Sequence, residues 1–445
     1  MLRTTGVLLV LAACAFARDE PRKLIVVAPK DLCEALEEFV EFKRARLEVD
    51  LVAIEDIAAE GVDEPERLKR FLYEAWRREG VRYVLLVGDA DVLPVRYMVL
   101  DRCTEPAYDY AFYPSDLYYA DLAREDGSFD DWNGSREGFH AAYFGEVRGE
   151  KNKKDPINFD RIDYKPEIAV GRWPVSTPEE VRIVAAKTMA YERGVEEGTS
   201  PGLRRAGLFV VDGWVDARDL FGGLSKRLGG WEVARRFYGD DPGPSEEEAV
   251  KLLNDGASLV CHAGHGSDDA WGGCLSVASL ARVKNADRLP VLVSAGCSTA
   301  RFATLPPYEA YVDVEGVEHK GTNAGEVFPA PPPPPAPYQR GAHNPTGLGE
   351  QLLRRGPDGA VAYIGCNTGS QPCGLTLVEG FVTAIGESKA PRIGDCWARA
   401  VAFYYERERL AKLVPNDDWY PPSIFFQGMK FMLYGDPSAP IPPSR

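Results

Sequence analysis

The chain has 445 residues, 45% hydrophobic and 27% charged, the make-up of a globular protein long enough for two packed cores. A net charge of −16 and a pI near 5.0 argue against nucleic acid as partner, since phosphate binding needs a basic surface. Beyond the first residues no stretch is apolar enough for a transmembrane helix.

Residues 1–17 read as an export signal: Arg3, an apolar core over residues 7–13, then Ala15-Phe16-Ala17 before the charged Arg18-Asp19-Glu20. Export implies a periplasmic, cell-surface or extracellular protein. Leu11-Ala12-Ala13-Cys14 also resembles a bacterial lipoprotein signal, in which Cys14 would carry a lipid anchor. Eight cysteines remain after ordinary cleavage, spaced too irregularly for a disulfide framework, though Cys366 and Cys373 are close enough for a loop bridge. No CxxC pair suggests a structural zinc.

The pattern then alternates: strand 23–27, helix 32–46, strand 49–54, helix 64–78, strand 83–87. Such alternation implies parallel pairing with helices on both faces. A polar, irregular loop covers 116–154, and residues 168–170 resume the sheet. Thr177-Pro178-Glu179-Glu180 is a capping box with proline at the first helical position, opening a helix to about residue 193. Residues 196–202 have linker composition. The expected division is therefore a first α/β subdomain over 18–200 and a second over 201–445.

In the second part, strand 206–211, helix 217–228, a strand near 233–237 and a helix capped by Ser245 with Glu248 precede two strands discussed below. Residues 328–337 contain prolines 331–335 unbroken, expected to be a stiff surface insertion unable to join a sheet. Helix 348–355, strand 360–364, helix 397–413 and a final segment from residue 425 complete the pattern.

Two stretches carry the chemistry. Ser258-Leu259-Val260-Cys261-His262-Ala263-Gly264-His265-Gly266 and Leu289-Pro290-Val291-Leu292-Val293-Ser294-Ala295-Gly296-Cys297 are short apolar runs that stop at glycines and a base or nucleophile. Open α/β sheets bind ligands at the carboxyl ends of their strands. Neighbouring strands would let the His265 imidazole activate the Cys297 thiol and later protonate a leaving amine. The amides of Gly266 and Cys297 would point where an oxyanion develops. His262 competes for the role of base, but strand alternation turns it away from Cys261. Asp212, at the end of the preceding strand, is either an orienter of the imidazole or a strand-end turn residue.

The run Gly264-His265-Gly266-Ser267 with Ala270-Trp271-Gly272, and Cys297 closing a strand, resembles the gingipain-type cysteine peptidases. Tyr83-Val84-Leu85-Leu86-Val87-Gly88-Asp89, Ile168-Ala169-Val170-Gly171-Arg172, Tyr191-Glu192-Arg193, Gly359-Ala360-Val361-Ala362-Tyr363-Ile364-Gly365 and Leu433-Tyr434-Gly435-Asp436-Pro437-Ser438 match in order, from about residue 23 to 441. The resemblance implies a caspase-like three-layer α/β/α fold with mostly parallel sheets in two subdomains. It implies a cysteine endopeptidase acting on protein or peptide substrates, with no organic cofactor. A sorting-type transpeptidase using the same dyad, or a non-catalytic binding module on the same fold, are the alternatives.

The resemblance also implies a structural calcium site at Asp89, Asp163 and Glu167, completed by the backbone carbonyls of Asp160 and Lys165. Residues 126–137 partly imitate an EF-hand loop, with Asp131 where that motif needs glycine. A pocket for a basic P1 side chain needs a buried carboxylate, for which Asp216 and Asp219 are the candidates. At the strand end where the family has glutamate, this chain has Asp212, one methylene shorter. Neither a long inhibitory propeptide nor an appended immunoglobulin-like domain is expected.

Overall fold

Successive side chains of a strand point to opposite faces, and in β1 (Lys23–Ala28) every residue is buried. Ile25 and Val27 enter one core while Leu24, Val26 and Ala28 enter another, as a strand covered on both sides requires. The computed structural model describes residues 23–103, 110–339 and 347–444; the expected signal and Cys14 lie outside the described residues.

Helix α1 (Glu37–Arg44), strand β2 (Glu48–Ala53), α2 (Glu64–Glu79) and β3 (Val81–Val87) follow in alternation. A hairpin of β4 (Tyr97–Asp101) and β5 (Tyr110–Pro114) and the single turn α3 (Leu117–Ala120) interrupt it before β6 (Ala169–Trp173). Helix α4 (Pro178–Glu197) starts as its capping box dictates, with the Thr177 side chain accepting from the Glu180 N–H, and ends at Gly198 in the left-handed region.

Then come β7 (Arg205–Val210), α5 (Arg218–Arg227), β8 (Glu232–Phe237), α6 (Glu246–Asp255), β9 (Leu259–Ala263) and β10 (Val291–Ser294). The short pair β11 (Tyr311–Val312) and β12 (Glu318–His319) belongs to an insertion. The order closes with α7 (Leu348–Arg354), β13 (Ala362–Cys366), α8 (Gly374–Glu387), α9 (Ile393–Arg407), α10 (Tyr420–Gln427) and β14 (Phe431–Tyr434).

Ten strands form one sheet in the order β2-β1-β3-β6-β14-β13-β10-β9-β7-β8. Within each five-stranded half every pair is parallel, and the halves meet where β14 runs antiparallel to β13. Residues 198–204 carry the chain from α4 to β7, from one half of the sheet to the other. The last strand returns to the first half, pairing Tyr434 with Arg172 of β6. Helices α2, α5, α8 and α9 cover one face, and α1, α4, α6 and α7 the other, giving a caspase-like α/β/α sandwich with two cores.

Two expectations change. Helix α8 is not among the expected elements, although Thr376, Glu379, Thr383 and Glu387 recur at helical spacing; nine of its fourteen residues are buried, and Gly380 lets α9 approach so closely that a Cβ there would lie 2.9 Å from the Ala400 α-carbon. The proline run does pair with backbone. Prolines lack a donor but keep their carbonyls, so Pro334 accepts from the Val314 N–H at 3.0 Å, Pro335 bridges Asp313, and Pro333 and Pro332 accept from the Tyr311 and Tyr143 hydroxyls.

Candidate active site

Strands β9 and β10 are parallel neighbours, with Val291 facing Leu259 and Ser294 facing His262. That register is an offset of 32 residues (291 − 259), the offset separating Cys297 from His265. The two loops leaving these strands then touch at glycine. A Cβ on Gly266 would lie 2.7 Å from the Cys297 carbonyl oxygen and 2.9 Å from the Gly296 carbonyl carbon, so only a residue without a side chain permits the contact. The residue after the cysteine, Ser298, is held at φ 56° in the left-handed region, which costs a non-glycine residue energy and turns the chain sharply at Cys297.

His265 is exposed and its Nε2 lies 2.8 Å from the Gly213 carbonyl. A carbonyl only accepts, so Nε2 carries the proton and Nδ1 is left as the basic nitrogen. The orienting group is thus a backbone oxygen. The Asp212 carboxylate, expected in that role, accepts instead from the Gly213 N–H at 2.8 Å, the bond of a strand-end turn, and holds the peptide that holds the imidazole.

His262 is not a base. It is fully buried, its ring stacks on Trp271 with centroids 4.8 Å apart, and burial pushes its pKa down to about 3. Its Nδ1 pairs with Ser294 Oγ at 3.0 Å, and that hydroxyl accepts the Gly296 N–H at 3.0 Å, bracing the turn before Cys297.

Cys297 is half-buried against the loop that follows β13. Its Sγ accepts from the Ser370 N–H at 3.3 Å and faces the Ser370 carbonyl at 3.7 Å. Among the described residues no hydrogen bond joins the imidazole to the sulfur; catalytic hydrogen bonds commonly tighten only once substrate is bound. The Ser267 and Gly272 N–H groups make the bonds around the Gly266–Trp271 bridge, so the bridge does not use the Gly266 N–H.

Sequence reasoning missed the Gly213 carbonyl and the Ser370 amide because backbone groups leave no trace in residue type. A signal for the second existed: Ile364-Gly365-Cys366-Asn367-Thr368-Gly369-Ser370 is a third strand ending in small and polar residues, and it borders the cysteine strand. Cys366 and Cys373, read as a possible bridge, are free and buried.

Other expected site residues lie apart from this centre or are already engaged. Asp216 is exposed and clasped by the Arg218 guanidinium at 2.7 and 2.9 Å, which holds its carboxyl well below the usual range. Asp219 is exposed in the first turn of α5. Neither is the buried carboxylate that a pocket for a basic side chain requires.

The three carboxylates of the expected calcium set have partners within the chain. Asp89 is fully buried, accepts from the Ala90 N–H at 2.7 Å and faces Arg354 at 3.3 Å. Glu167 accepts from the Leu122 and Ala123 N–H groups at 2.7 and 3.1 Å. Asp163 turns onto Lys165, both its N–H and its ammonium, and the Asp160 side chain takes the Gly134 and Glu146 N–H groups. Calcium needs several oxygens converging on one point, and the Asp89, Asp163 and Glu167 carboxylates each accept from amides or cations of the chain instead. The EF-hand-like loop is likewise self-satisfied, Asp126 on Ser128 and Asp131 on Arg136. Among the described residues no group of three or more His, Cys, Asp or Glu side chains is arranged to hold a metal.

The model of the family described as peptidase family C25 matches residues 17–442. Gingipain R2 of Porphyromonas gingivalis (strain ATCC BAA-308 / W83) is 22% identical over 296 residues, 64% of this chain and 33% of its own length. Gingipain R1 of Porphyromonas gingivalis is 22% identical over 298 residues, 64% of this chain and 25% of its own. The chain thus spans a third or less of these curated relatives. The crystal structure of the Arg-specific cysteine proteinase gingipain R is similar over 95% of this chain and 78% of that one, with a TM-score of 0.61 at 18% identity, which shows a shared fold. With its family model matched from end to end of the folded region, the chain belongs to peptidase family C25, a family of cysteine-type hydrolases.

Proposed function

We infer that this member of the family is an exported cysteine endopeptidase whose nucleophile is Cys297 and whose general base and acid is His265. The observation that carries the reading is the contact of Gly266 with the Cys297 carbonyl, which brings the loop bearing the imidazole against the turn bearing the thiol.

His265 Nδ1 takes the Sγ proton as the sulfur attacks the scissile carbonyl carbon; the carbonyl oxygen gains charge and accepts from the Gly266 and Cys297 N–H groups. The same imidazole then gives its proton to the departing amine, leaving an acyl-cysteine. It next deprotonates a water that attacks the thioester, and the released thiolate recovers its proton. The Gly213 carbonyl keeps Nε2–H occupied throughout, so one tautomer serves both steps.

Arginine preference, in the name of the similar gingipain R, is not carried over, because Asp216 is tied to Arg218 and Asp219 is exposed. The leader-like residues 1–17 support export to the periplasm, cell surface or medium, and among the described residues no helix is long and apolar enough to cross a membrane. A peptide-library digest with Cys297→Ala and His265→Ala beside the wild type tests the reading. Both variants should keep the fold and lose cleavage, and an alkylating probe should label Cys297; cleavage retained by Cys297→Ala would overturn it. Repeating the digest with an added amine separates hydrolysis from acyl transfer.

A further inference from the structure

Beneath Cys297 the loop after β13 is fastened at three successive residues. The Lys430 ammonium donates to the Gly369 carbonyl at 2.5 Å, the buried Gln427 amide donates to Ser370 Oγ at 3.1 Å, and its oxygen accepts from the Gln371 N–H at 3.2 Å. The residue in the middle of this clamp is the one whose N–H points at the sulfur, 3.3 Å away. Gln427 is fully buried and Lys430 is 6% exposed, so both are paid-in features of the interior whose polar groups need a purpose.

An ammonium is costly to bury without a counter-charge. Burial acts most strongly on Lys430, followed by the Cys366 and Cys373 thiols and the Arg102 guanidinium. Arg102 is beside Glu150 at 3.7 Å. Burial pushes the Cys366 thiol up to about 11 and raises that of Cys373, so both stay neutral. Burial likewise lowers the Lys430 ammonium, whose one bond to this loop is to the Gly369 carbonyl, next to Ser370.

We propose that the Ser370 N–H, held by Gln427 and backed by the Lys430 ammonium, forms a cradle that stabilises Cys297 as the thiolate. This rests on the assignment of Cys297 as nucleophile. It assigns the Ser370 amide as a catalytic donor on the reacting sulfur and makes Gln427 and Lys430 positioning residues. Strands β13 and β9 flank β10 on opposite sides, so the cradle can hold the charge left on sulfur once His265 has taken its proton, and the imidazolium then protonates the leaving amine.

The test is the pH dependence of Cys297 alkylation by iodoacetamide in the full chain, with the modified residue mapped. Lys430→Met should move the midpoint up by about one pH unit, a tenfold loss of reactivity at neutral pH. Lys430→Arg, which keeps the charge, should restore most of it. Gln427→Met should shift the midpoint in the same direction by less, and it carries the test if Lys430→Met does not fold. A midpoint unchanged in folded Lys430→Met or Gln427→Met, while the wild type cleaves peptides, overturns the cradle alone. A wild type in which Cys297 is not the residue labelled overturns the assignment beneath it.

Discussion

The α-carbon of Gly266 lies so near Cys297 that a methyl group on it would sit 2.7 Å from the Cys297 carbonyl oxygen and 2.6 Å from the Thr299 methyl. The oxygen belongs to backbone and has nowhere to retreat. Gly266→Ala should therefore separate the two loops and lower kcat/KM by about a hundredfold, a loss of the size a 1 Å misplacement brings. Steady-state kinetics beside a thermal melt check it; near-normal turnover would mean the loops can part without consequence.

Because the imidazole is held by the Gly213 carbonyl, removing the Asp212 side chain leaves that bond in place. Asp212→Ala should cost less than about tenfold in kcat, or 1.4 kcal/mol. A loss of a thousandfold would return the orienting role to the carboxylate.

Lys43 is fully buried between Glu192 at 2.6 Å and Asp436 at 2.9 Å, joining α1, α4 and the turn after β14. Burial pushes the Glu192 carboxyl up to about 7 despite the ammonium, whereas Lys43 and the Ser438 groups hold Asp436 low against the same burial. Lys43→Met would strand two acidic groups in the interior, and should cost about 3–5 kcal/mol in a denaturant titration.

His319 bonds Asp313 and Glu326 through both ring nitrogens at 2.9 Å and stacks on Tyr311, so it pins the proline-bearing insertion as an imidazolium. Burial opposes the charge, but the two carboxylates outweigh it and raise the pKa above 6.5, while both acids are lowered. A raised histidine contributes stability that is complete below its unfolded pKa and lost as pH rises through the folded one. Lowered acids contribute above their unfolded values and lose it as pH falls through the folded ones. The insertion should resist proteolysis best in mildly acidic solution and loosen above neutrality, and His319→Gln should flatten that limited-proteolysis profile on the alkaline side.

The carboxylates once expected around calcium are engaged by Arg354, Lys165 and backbone amides. Chelation with EDTA should leave the melting temperature unchanged, and a fall of several degrees would show that a cation is bound.

The alternation of elements, the capping box at Thr177 and the paired glycine-marked strand ends were legible in the sequence because each is a local rule about periodicity or backbone freedom. The 32-residue offset was legible too, since parallel neighbours of similar length keep their ends level. What stayed hidden depends on contacts between distant segments. The Gly213 carbonyl and Ser370 amide are backbone, and Asp89 meets Arg354 across 265 residues. Lys43 gives Glu192 and Asp436 of the Tyr191-Glu192-Arg193 and Gly435-Asp436-Pro437-Ser438 motifs a shared purpose that neither motif states alone.

The seam between the half-sheets is filled by β14, the last strand in the order. Until residues 431–434 arrive, β6 and β13 each present a bare edge, and Gln427 and Lys430 have no frame from which to grip the loop beside Cys297. A nascent chain emerging from its amino end would thus hold the proposed Cys297 and His265 pair in an unfinished scaffold until residues 431–434 dock.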